Sequence, residues 1–236
     1  MASPNQWNEI YKNTLSAPMY RKSGYHKSTI SSLSALLRIG EIQMRKKVIE
    51  PFDKKLFKLN LIKIRELVRI HPEDLLIQVK RLCEEAGVHL VFSPNISKAP
   101  VNGIARWIGG RPLIQITDRF KTNDHFWFSF FHEAGHILLH GKKDIFIDGN
   151  DEDDENQELR EEEANNFASN FLLPVDIVKE LDNYTDINDK TIRQLARLNK
   201  THPAVIVGRL QHLKKVPYSY GNSFKLKVLF EEDIME

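Results

Sequence analysis

The stretch Asp124-His-Phe-Trp-Phe-Ser-Phe-Phe-His-Glu-Ala-Gly-His-Ile-Leu-Leu-His140 decides how this chain folds. Aromatic and aliphatic side chains occupy most sides of the helix that it would form, which predicts a buried core helix. Thr122 or Asn123 can cap the start of this helix, and Gly141 can end it. Asp124 suits the first turn, because the helix dipole is positive there.

The middle of the helix carries His132-Glu-Ala-Gly-His136. Histidines four residues apart lie on one helix face, so both imidazoles can reach one metal ion. Glu133 would project beside the ion, where it can take a proton from water and pass it to a leaving amine. The alternative is a core helix with two hydrogen-bonded histidines. Burying two imidazoles and a carboxylate among aromatic rings is unfavourable unless something satisfies them, which favours the metal site.

A catalytic zinc site needs a third protein ligand and leaves a position open for water. A third histidine six residues after His136 would complete one known pattern, but Lys142 occupies that position. His140 is offset from the two histidines and stands at the helix end. We interpret it as a residue that supports a ligand by a hydrogen bond or caps the helix.

The third ligand is expected in an acidic helix from about Gln157 to Leu173, which Pro174 ends. At about 100° per residue, Glu161 lies on the apolar side of this helix and Glu158 lies near it. The same geometry turns Glu162 and Glu163 toward solvent, where we expect solvated charge. Glu161 is therefore the predicted ligand, with Glu158 in reserve. Asn165 follows one turn after Glu161 and can hydrogen-bond a ligand histidine.

The remaining apolar patterns predict a mostly helical α+β protein without internal repeats. Helical spacing before the core helix predicts helices at Trp7–Leu15, Leu33–Ile42, Asp53–Ile70 and Glu73–Glu85. Strand-like runs at Val88–Phe92, Gly103–Ile108 and Pro112–Ile116 follow, and Gly109-Gly110 predicts a hairpin between the last two. We therefore expect a small antiparallel sheet between helical regions. Two short helices are expected at Ile187–Asn199 and Pro203–Leu213.

The charge of the chain is balanced in total but divided by position. The 34 Lys and Arg and 32 Asp and Glu residues leave +2, so total charge indicates no class of partner. Residues 1–71 carry 14 basic and five acidic side chains, whereas residues 148–163 carry ten acids and one arginine. We expect a solvated loop at residues 148–155, because like charges repel in a packed arrangement. The basic front lacks a motif that reads nucleic acid, so we expect it to face a protein partner or to dock against a further N-terminal domain.

The chain has one cysteine, Cys83, and no secretory signal, so we expect a reducing cytoplasm. Its apolar stretches are too short to cross a membrane. We therefore expect no membrane partner.

Two motifs resemble the ImmA/IrrE family of zinc metallopeptidases. They are His132-Glu-Ala-Gly-His136 and Glu161-Glu-Glu-Ala-Asn-Asn-Phe-Ala-Ser-Asn-Phe-Leu-Leu-Pro174. The resemblance covers roughly residues 75–215 and implies a zincin-like core of the gluzincin type. It implies Zn²⁺ held by His132, His136 and Glu161, with Glu133 as catalytic acid and base. We accordingly divide the chain into a helical region at 1–71, a peptidase domain at 72–215 and a tail at 216–236.

The whole chain resembles the C-terminal portion of longer family members that begin with a repressor-like helix-turn-helix domain. The resemblance is carried by residues 124–131, Val207-Gly-Arg-Leu-Gln-His212 and Ala2-Ser-Pro-Asn-Gln-Trp7. Met1 is then either a native start or the edge of such a portion. Family members typically cleave or regulate a partner transcription factor, in mobile-element, stress or toxin–antitoxin settings. The resemblance thus implies a protein substrate, such as a repressor.

Other roles remain open at the level of sequence. The strand residues Leu113, Ile114, Gln115 and Ile116 either pair with the substrate beside the metal or belong to the core sheet. The group that polarises the scissile carbonyl is Arg106, His125, His202, Tyr218 or Tyr220. The alternatives to an endopeptidase are a regulatory or antitoxin-like module with structural zinc, and a nucleic-acid sensor that uses the basic helices.

Overall fold

The computed structural model describes residues 30–140, 145–147, 155–174 and 187–230. Within these ranges the helices are α1 Ile30–Lys46, α2 Lys54–Ile70, α3 Leu75–Glu85, α4 Asn123–Leu139, α5 Glu155–Leu172, α6 Asp189–Leu198 and α7 Pro203–His212. The strands are β1 His89–Ser93, β2 Gly103–Ile108, β3 Arg111–Thr117 and β4 Ile145–Ile147, and a short 3₁₀ turn spans Asn222–Phe224. The predicted α+β, mostly helical class is confirmed.

Several predicted features lie outside the described residues. These are the helix at Trp7–Leu15, the helix end at Gly141 and all but the last residue of the acidic loop. Among the helices that are described, none combines the length and the apolar character that crossing a membrane requires.

The four strands form one sheet in the order β1-β3-β2-β4. Gly109 and Gly110 connect β2 to β3 with φ of 57° and 79°, the left-handed conformation that a two-residue hairpin turn demands. β1 pairs parallel with β3, from His89 opposite Leu113 to Ser93 opposite Thr117. The predicted wholly antiparallel sheet is therefore wrong. β3 lies between β1 and β2 and is antiparallel to β2. Because β1 runs opposite to β2, β1 and β3 run in the same direction and pair in parallel.

The sheet alternates its side chains between two helical layers, as the period of a strand requires. On one face, Leu90, Ala105 and Ile114 join the main core with α2, α3 and the aromatic residues of α4. On the other face, Ile104 packs against Leu36 and Leu37 of α1. The sheet thus covers one side of the core helix α4, and other helices can pack against its remaining sides.

Buried polar groups also attach α1 to the sheet. Gln115 of β3 donates from Nε2 to the carbonyl of Leu36 at 2.9 Å. Arg106 of β2 donates to the carbonyl of Leu37, and its Nη1 lies 3.3 Å from Glu41 Oε1. A buried guanidinium is tolerable only with such partners, so Arg106 specifies where α1 docks.

The start of α4 is held by the tail rather than by a side-chain cap. Thr122 occupies the N-cap position, but its hydroxyl makes no capping hydrogen bond. Asn123, the other predicted cap, instead accepts from the Leu226 amide through Oδ1 at 3.0 Å, and its own amide donates to the Leu226 carbonyl at 2.9 Å. Lys225 Nζ lies 2.7 Å from Asp124 Oδ2. Part of the tail is therefore an integral support of α4.

Arg65 of α2 joins two helix ends on the opposite side of α4. Its guanidinium donates to the carbonyls of Phe171 and Leu172 at 2.7 and 3.1 Å, and to those of Lys200 and Asn199 at 2.7 and 3.1 Å. These carbonyls lie at the C-terminal ends of α5 and α6, where the last turn of a helix lacks internal donors. One side chain therefore fixes the position of α5 against α2.

We predict that Arg65→Ala lowers the free energy of unfolding by about 2–3 kcal/mol, because several partly buried carbonyls lose a charged donor. Chemical denaturation measures the change. Arg69→Ala, one turn further on α2, is the matched control: Arg69 Nε is 3.8 Å from Glu66 Oε2 and both side chains are about half exposed. The control should change stability by less than about 0.5 kcal/mol. Equal losses in the two variants would contradict the role given to Arg65.

Candidate metal centre

The site depends on a close contact between α4 and α5. Gly135 faces α5, and a Cβ placed on it would lie 3.3 Å from the Ala164 Cα and 3.2 Å from the Phe167 Cδ1. Helices approach this closely only where side chains at the contact are small. The contact brings the glutamates of α5 within reach of the histidines of α4.

Three potential ligand groups converge at this contact. His132 Nε2 and His136 Nε2 are 3.0 Å apart. Glu161 Oε2 lies 3.3 Å from His132 Nε2, and Oε1 lies 3.3 Å from His136 Nε2. The ligand atoms all fall within 4.8 Å of one another, and both imidazoles are buried. The structure therefore brings together the three residues that the motifs indicated.

The far nitrogen of His132 determines which way its lone pair points. His132 Nδ1 lies 3.0 Å from Asn165 Oδ1, an amide oxygen that can only accept a hydrogen bond. Nδ1 must then carry the proton, and the Nε2 lone pair faces the other two ligands. Asn165, one turn after Glu161, thus makes the hydrogen bond to a ligand histidine that the sequence predicted.

A longer relay does the same for His136. Glu163 Oε2 lies 3.0 Å from His140 Nε2, and His140 Nδ1 lies 2.9 Å from His136 Nδ1. The carboxylate accepts from His140 Nε2–H, so His140 Nδ1 accepts from His136 Nδ1–H. The Nε2 lone pair of His136 then also faces the site. Hydrogen bonds of this kind behind ligand histidines orient the rings and raise their basicity.

Sequence reasoning missed Glu163. Its side chain is 63% exposed, as the expectation of solvated charge required, yet it accepts a hydrogen bond from His140. The angular positions of residues on α5 do not reveal partners on another helix. His140, at the end of α4, reaches Glu163 although Glu163 is not on the side of α5 that packs against α4. A His one turn after the second motif histidine is the signal that could have indicated an acid nearby. Glu158 and Glu162 are exposed.

Electrostatics favour the unprotonated ligands that a metal requires. Burial lowers the pKa of His136 to about 4, against the opposing effect of Glu161. Burial alone would raise the pKa of Glu161, but the adjacent imidazoles of His132 and His136 outweigh it and lower that pKa to about 2. At neutral pH, an unprotonated His136 imidazole and the Glu161 carboxylate therefore face one another at short distance.

The donor set fits a divalent cation. Glu161 Oε1 is buried and makes no hydrogen bond to any described residue, although His136 Nε2 is 3.3 Å away. Two imidazole nitrogens and one carboxylate form a three-ligand set that is typical of catalytic zinc. A cation would relieve the repulsion among these groups and give Glu161 Oε1 a partner.

Glu133 lies fully buried between α4 and the start of β2. A Cβ placed on Gly103 would come within 2.4 Å of Glu133 Oε1, so only glycine leaves room for this carboxylate. Gly103 therefore defines where Glu133 can point. No sequence pattern indicates the role of Gly103, because Glu133 is 30 positions away in the chain.

The prediction that Leu113, Ile114, Gln115 and Ile116 pair with a substrate is wrong. β3 has β1 on one side and β2 on the other, so its backbone hydrogen bonds are already made. All four side chains are buried. Among the described strands, β4 forms the sheet edge beside β2, with Ile147 opposite Ile104.

Three of the five candidates for polarising a carbonyl are engaged elsewhere. Arg106 anchors α1, as described above. His202 Nδ1 accepts from the Ala204 amide at 3.2 Å and caps α7. Tyr220 donates its hydroxyl to the Ile187 carbonyl at 3.0 Å. These contacts give each residue a structural role.

The other two candidates, His125 and Tyr218, line a cavity of about 220 Å³. Phe128 of α4 also lines this cavity, and its ring stacks on His132 with centroids 6.2 Å apart. His125 and Tyr218 therefore share a cavity with Phe128, the residue that contacts the His132 ring.

Comparison with known proteins supports the same conclusion. The model of the peptidase M78 family, described as the IrrE N-terminal-like domain, matches residues 83–209, which contain both motifs. No curated protein matches the chain at a significant level. The M78 family is generally metal-dependent. The match covers more than half of the chain and confirms the ImmA/IrrE resemblance. This chain belongs to the peptidase M78 family, a family with a metallopeptidase-like function.

Proposed function

We propose that this protein is a zinc-dependent endopeptidase of restricted specificity that acts on a protein partner. The observation that carries the proposal is the convergence of His132 Nε2, His136 Nε2 and the Glu161 carboxylate within 4.8 Å. Their lone pairs are directed toward one point by Asn165 and by the His140–Glu163 relay.

His132, His136 and Glu161 would hold the zinc. When bound, zinc supplies a Lewis acid that polarises a carbonyl and lowers the pKa of water. Structural zinc sites have four protein ligands, whereas three ligands leave a position for water or substrate. Among the described residues the set has three members, which supports a catalytic site over a structural one.

Glu133 supplies the proton transfers of this proposal. Its carboxylate would accept a proton from the attacking water and then donate that proton to the nitrogen of the leaving amine. Burial against Gly103 holds the carboxylate in one position, so little reorganisation is needed during the reaction. The low dielectric of a buried site also strengthens its electrostatic interactions.

Among the described strands, β4 has a neighbour on one side only, and we place an extended substrate along its other side. β4 borders β2, whose first residue, Gly103, contacts Glu133. A peptide that adds as a further strand there would gain backbone hydrogen bonds and run beside the catalytic carboxylate. This arrangement replaces the one that the sequence suggested for β3.

A transcriptional repressor or another regulatory protein remains the proposed substrate, in line with the family resemblance. The basic helices of residues 1–71 are proposed as the partner-facing part. Cys83 is buried as a free thiol, which agrees with the proposed cytoplasmic location.

We predict that Glu133→Gln lowers cleavage by about 10²- to 10⁴-fold, because the general base is lost, while zinc content stays at one ion per chain. Metal analysis and cleavage of a candidate transcriptional repressor are the measurements. His132→Ala should lose zinc as well as activity. Strong proteolysis by Glu133→Gln would contradict the mechanism. A wild-type protein made with adequate zinc that contains no stoichiometric metal would contradict the function.

We predict that Gly103→Ala lowers kcat by about 10²-fold with zinc retained, because the added methyl displaces the Glu133 carboxylate. Gly109→Asn is the matched control at the other end of the hairpin strand. No atom lies within 4 Å of a Cβ at Gly109, and asparagine tolerates its positive φ. The control should keep its activity. Full activity in Gly103→Ala would show that Glu133 is not held as described.

We predict that Glu163→Ala weakens zinc binding by about tenfold, since His136 loses the relay that orients its ring. Competition with a chromophoric chelator measures the affinity. Glu162→Ala removes a neighbouring exposed carboxylate and should leave the affinity unchanged. If the two variants weaken zinc binding equally, the effect is one of overall charge and the relay has no role.

A further inference from the structure

A cavity of about 220 Å³ lies between α4, α5 and α7, next to the metal ligands. Phe128 forms one of its walls. This residue precedes His132 by one turn of α4, and the two rings are nearly parallel, at 30°. The cavity therefore begins one helical turn, about 5.4 Å, from the site.

A second line of contacts connects the cavity to the same ligand. Asn165 of α5 accepts a hydrogen bond from His132, and Ser169, one turn further, lines the cavity. Ser169 Oγ in turn lies 3.4 Å from Arg209 Nη1 of α7. Neighbouring residues of an extended peptide are spaced by about 3.3 Å. A peptide whose scissile bond lies at the metal ligands would place a nearby side chain at this cavity.

The cavity combines apolar walls with an uncompensated cation. Leu172, Leu173 and Val205 line it together with Phe128. Asp124 also lines it, but Lys225 Nζ lies 2.7 Å from Asp124 Oδ2 and neutralises that carboxylate.

Arg209 makes no ion pair within the described part of the chain, and its buried Nε has no hydrogen-bond partner there. Burial also lowers the pKa of Arg209, a sign that the guanidinium is poorly solvated. The charges of Asp124 and Lys225 cancel, and the positive charge of Arg209 has no anionic partner among the described residues.

We infer that this cavity is a specificity pocket that takes an acidic side chain of the substrate, with glutamate preferred over aspartate. The inference rests on the proposed function. The volume suits a single side chain, being below the range of sites for whole ligands. A guanidinium binds a carboxylate in a bidentate fork, and such charge-assisted bonds are about twice as strong as neutral ones. The two methylenes of glutamate would lie against Phe128 and Leu172.

Two measurements test the pocket. First, the wild-type enzyme digests a mixed peptide library with acetylated N-termini and amidated C-termini, and mass spectrometry identifies the residues around each cleaved bond. We expect glutamate to be enriched at one fixed position.

Second, blocked peptides with Glu, Asp, Gln, Leu or Lys at that position are titrated by calorimetry into zinc-loaded Glu133→Gln protein. If the library yields no cleavage, the same substitutions are scanned along blocked peptides from the candidate repressor. Glutamate should bind about tenfold more tightly than glutamine.

Variants at Arg209 separate the pocket from a general effect on folding. Arg209→Gln should lose the preference for glutamate, Arg209→Lys should keep part of it, and Arg209→Glu should favour lysine. Arg197→Gln, on the exposed surface of α6, is the matched control and should keep the wild-type preference. Tm and zinc content establish that each variant is folded and loaded.

A glutamate preference that persists in folded, zinc-loaded Arg209→Gln would overturn the inference. Tighter binding of peptides with a free C-terminal carboxylate than of their amidated forms would also overturn it, because the carboxylate would then come from a chain end. Cleavage without any acidic preference would overturn the pocket and leave the proposed function intact. Glutamate binding that depends on Arg209, without cleavage by the wild type, would support the pocket and contradict the proposed function. Binding of none of the peptides would contradict the pocket.

Discussion

The contact between α4 and α5 at Gly135 is the constraint on which the rest of the site depends. Glycine at this position lets Ala164 approach within van der Waals distance of the α4 backbone. At that separation a glutamate side chain of α5 reaches the two histidines of α4, and an asparagine one turn later reaches the back of the first histidine. A larger residue in place of Gly135 would push α4 and α5 apart and so separate Glu161 from the two histidines.

The surrounding structure maintains this helix pair from three directions. The sheet covers one side of α4, and residues 225–228 of the tail hold its first turn. Arg65 binds the C-terminal end of α5 to α2. The sheet supports α4 by apolar packing, whereas the tail and Arg65 supply partners to backbone carbonyls and amides at the ends of helices.

The two helices that carry the candidate metal site also form two walls of the cavity at Arg209. Successive turns of α4 present Phe128 to the cavity and then His132 and His136 to the metal centre. On α5, Glu161, Asn165 and Ser169 follow one another at one-turn spacing in the reverse direction. The distance between the reacting bond and the recognised side chain is therefore set by the pitch of a helix, which is among the least variable lengths in a protein.

The amino-acid sequence by itself predicted α4, α5, the hairpin and the three candidate ligands. Helical periodicity predicted α4 and α5, the Gly109-Gly110 pair predicted the hairpin, and one turn of helix contained His132, Glu133 and His136. An angular argument on a single helix selected Glu161 and Asn165. These features depend on residues that are near one another in the chain, where spacing translates directly into geometry.

Only the tertiary structure decided what depends on distant partners. Strand periodicity does not reveal which strands are neighbours, so the parallel pairing of β1 and the central place of β3 were not predictable. Glu163 gained a role because His140 extends past the end of α4, and Gly103 gained one because β2 begins above Glu133. The cavity at Arg209 requires three helices that meet only in the folded chain. Such juxtapositions are set by packing, and packing leaves no periodic signal in any one segment.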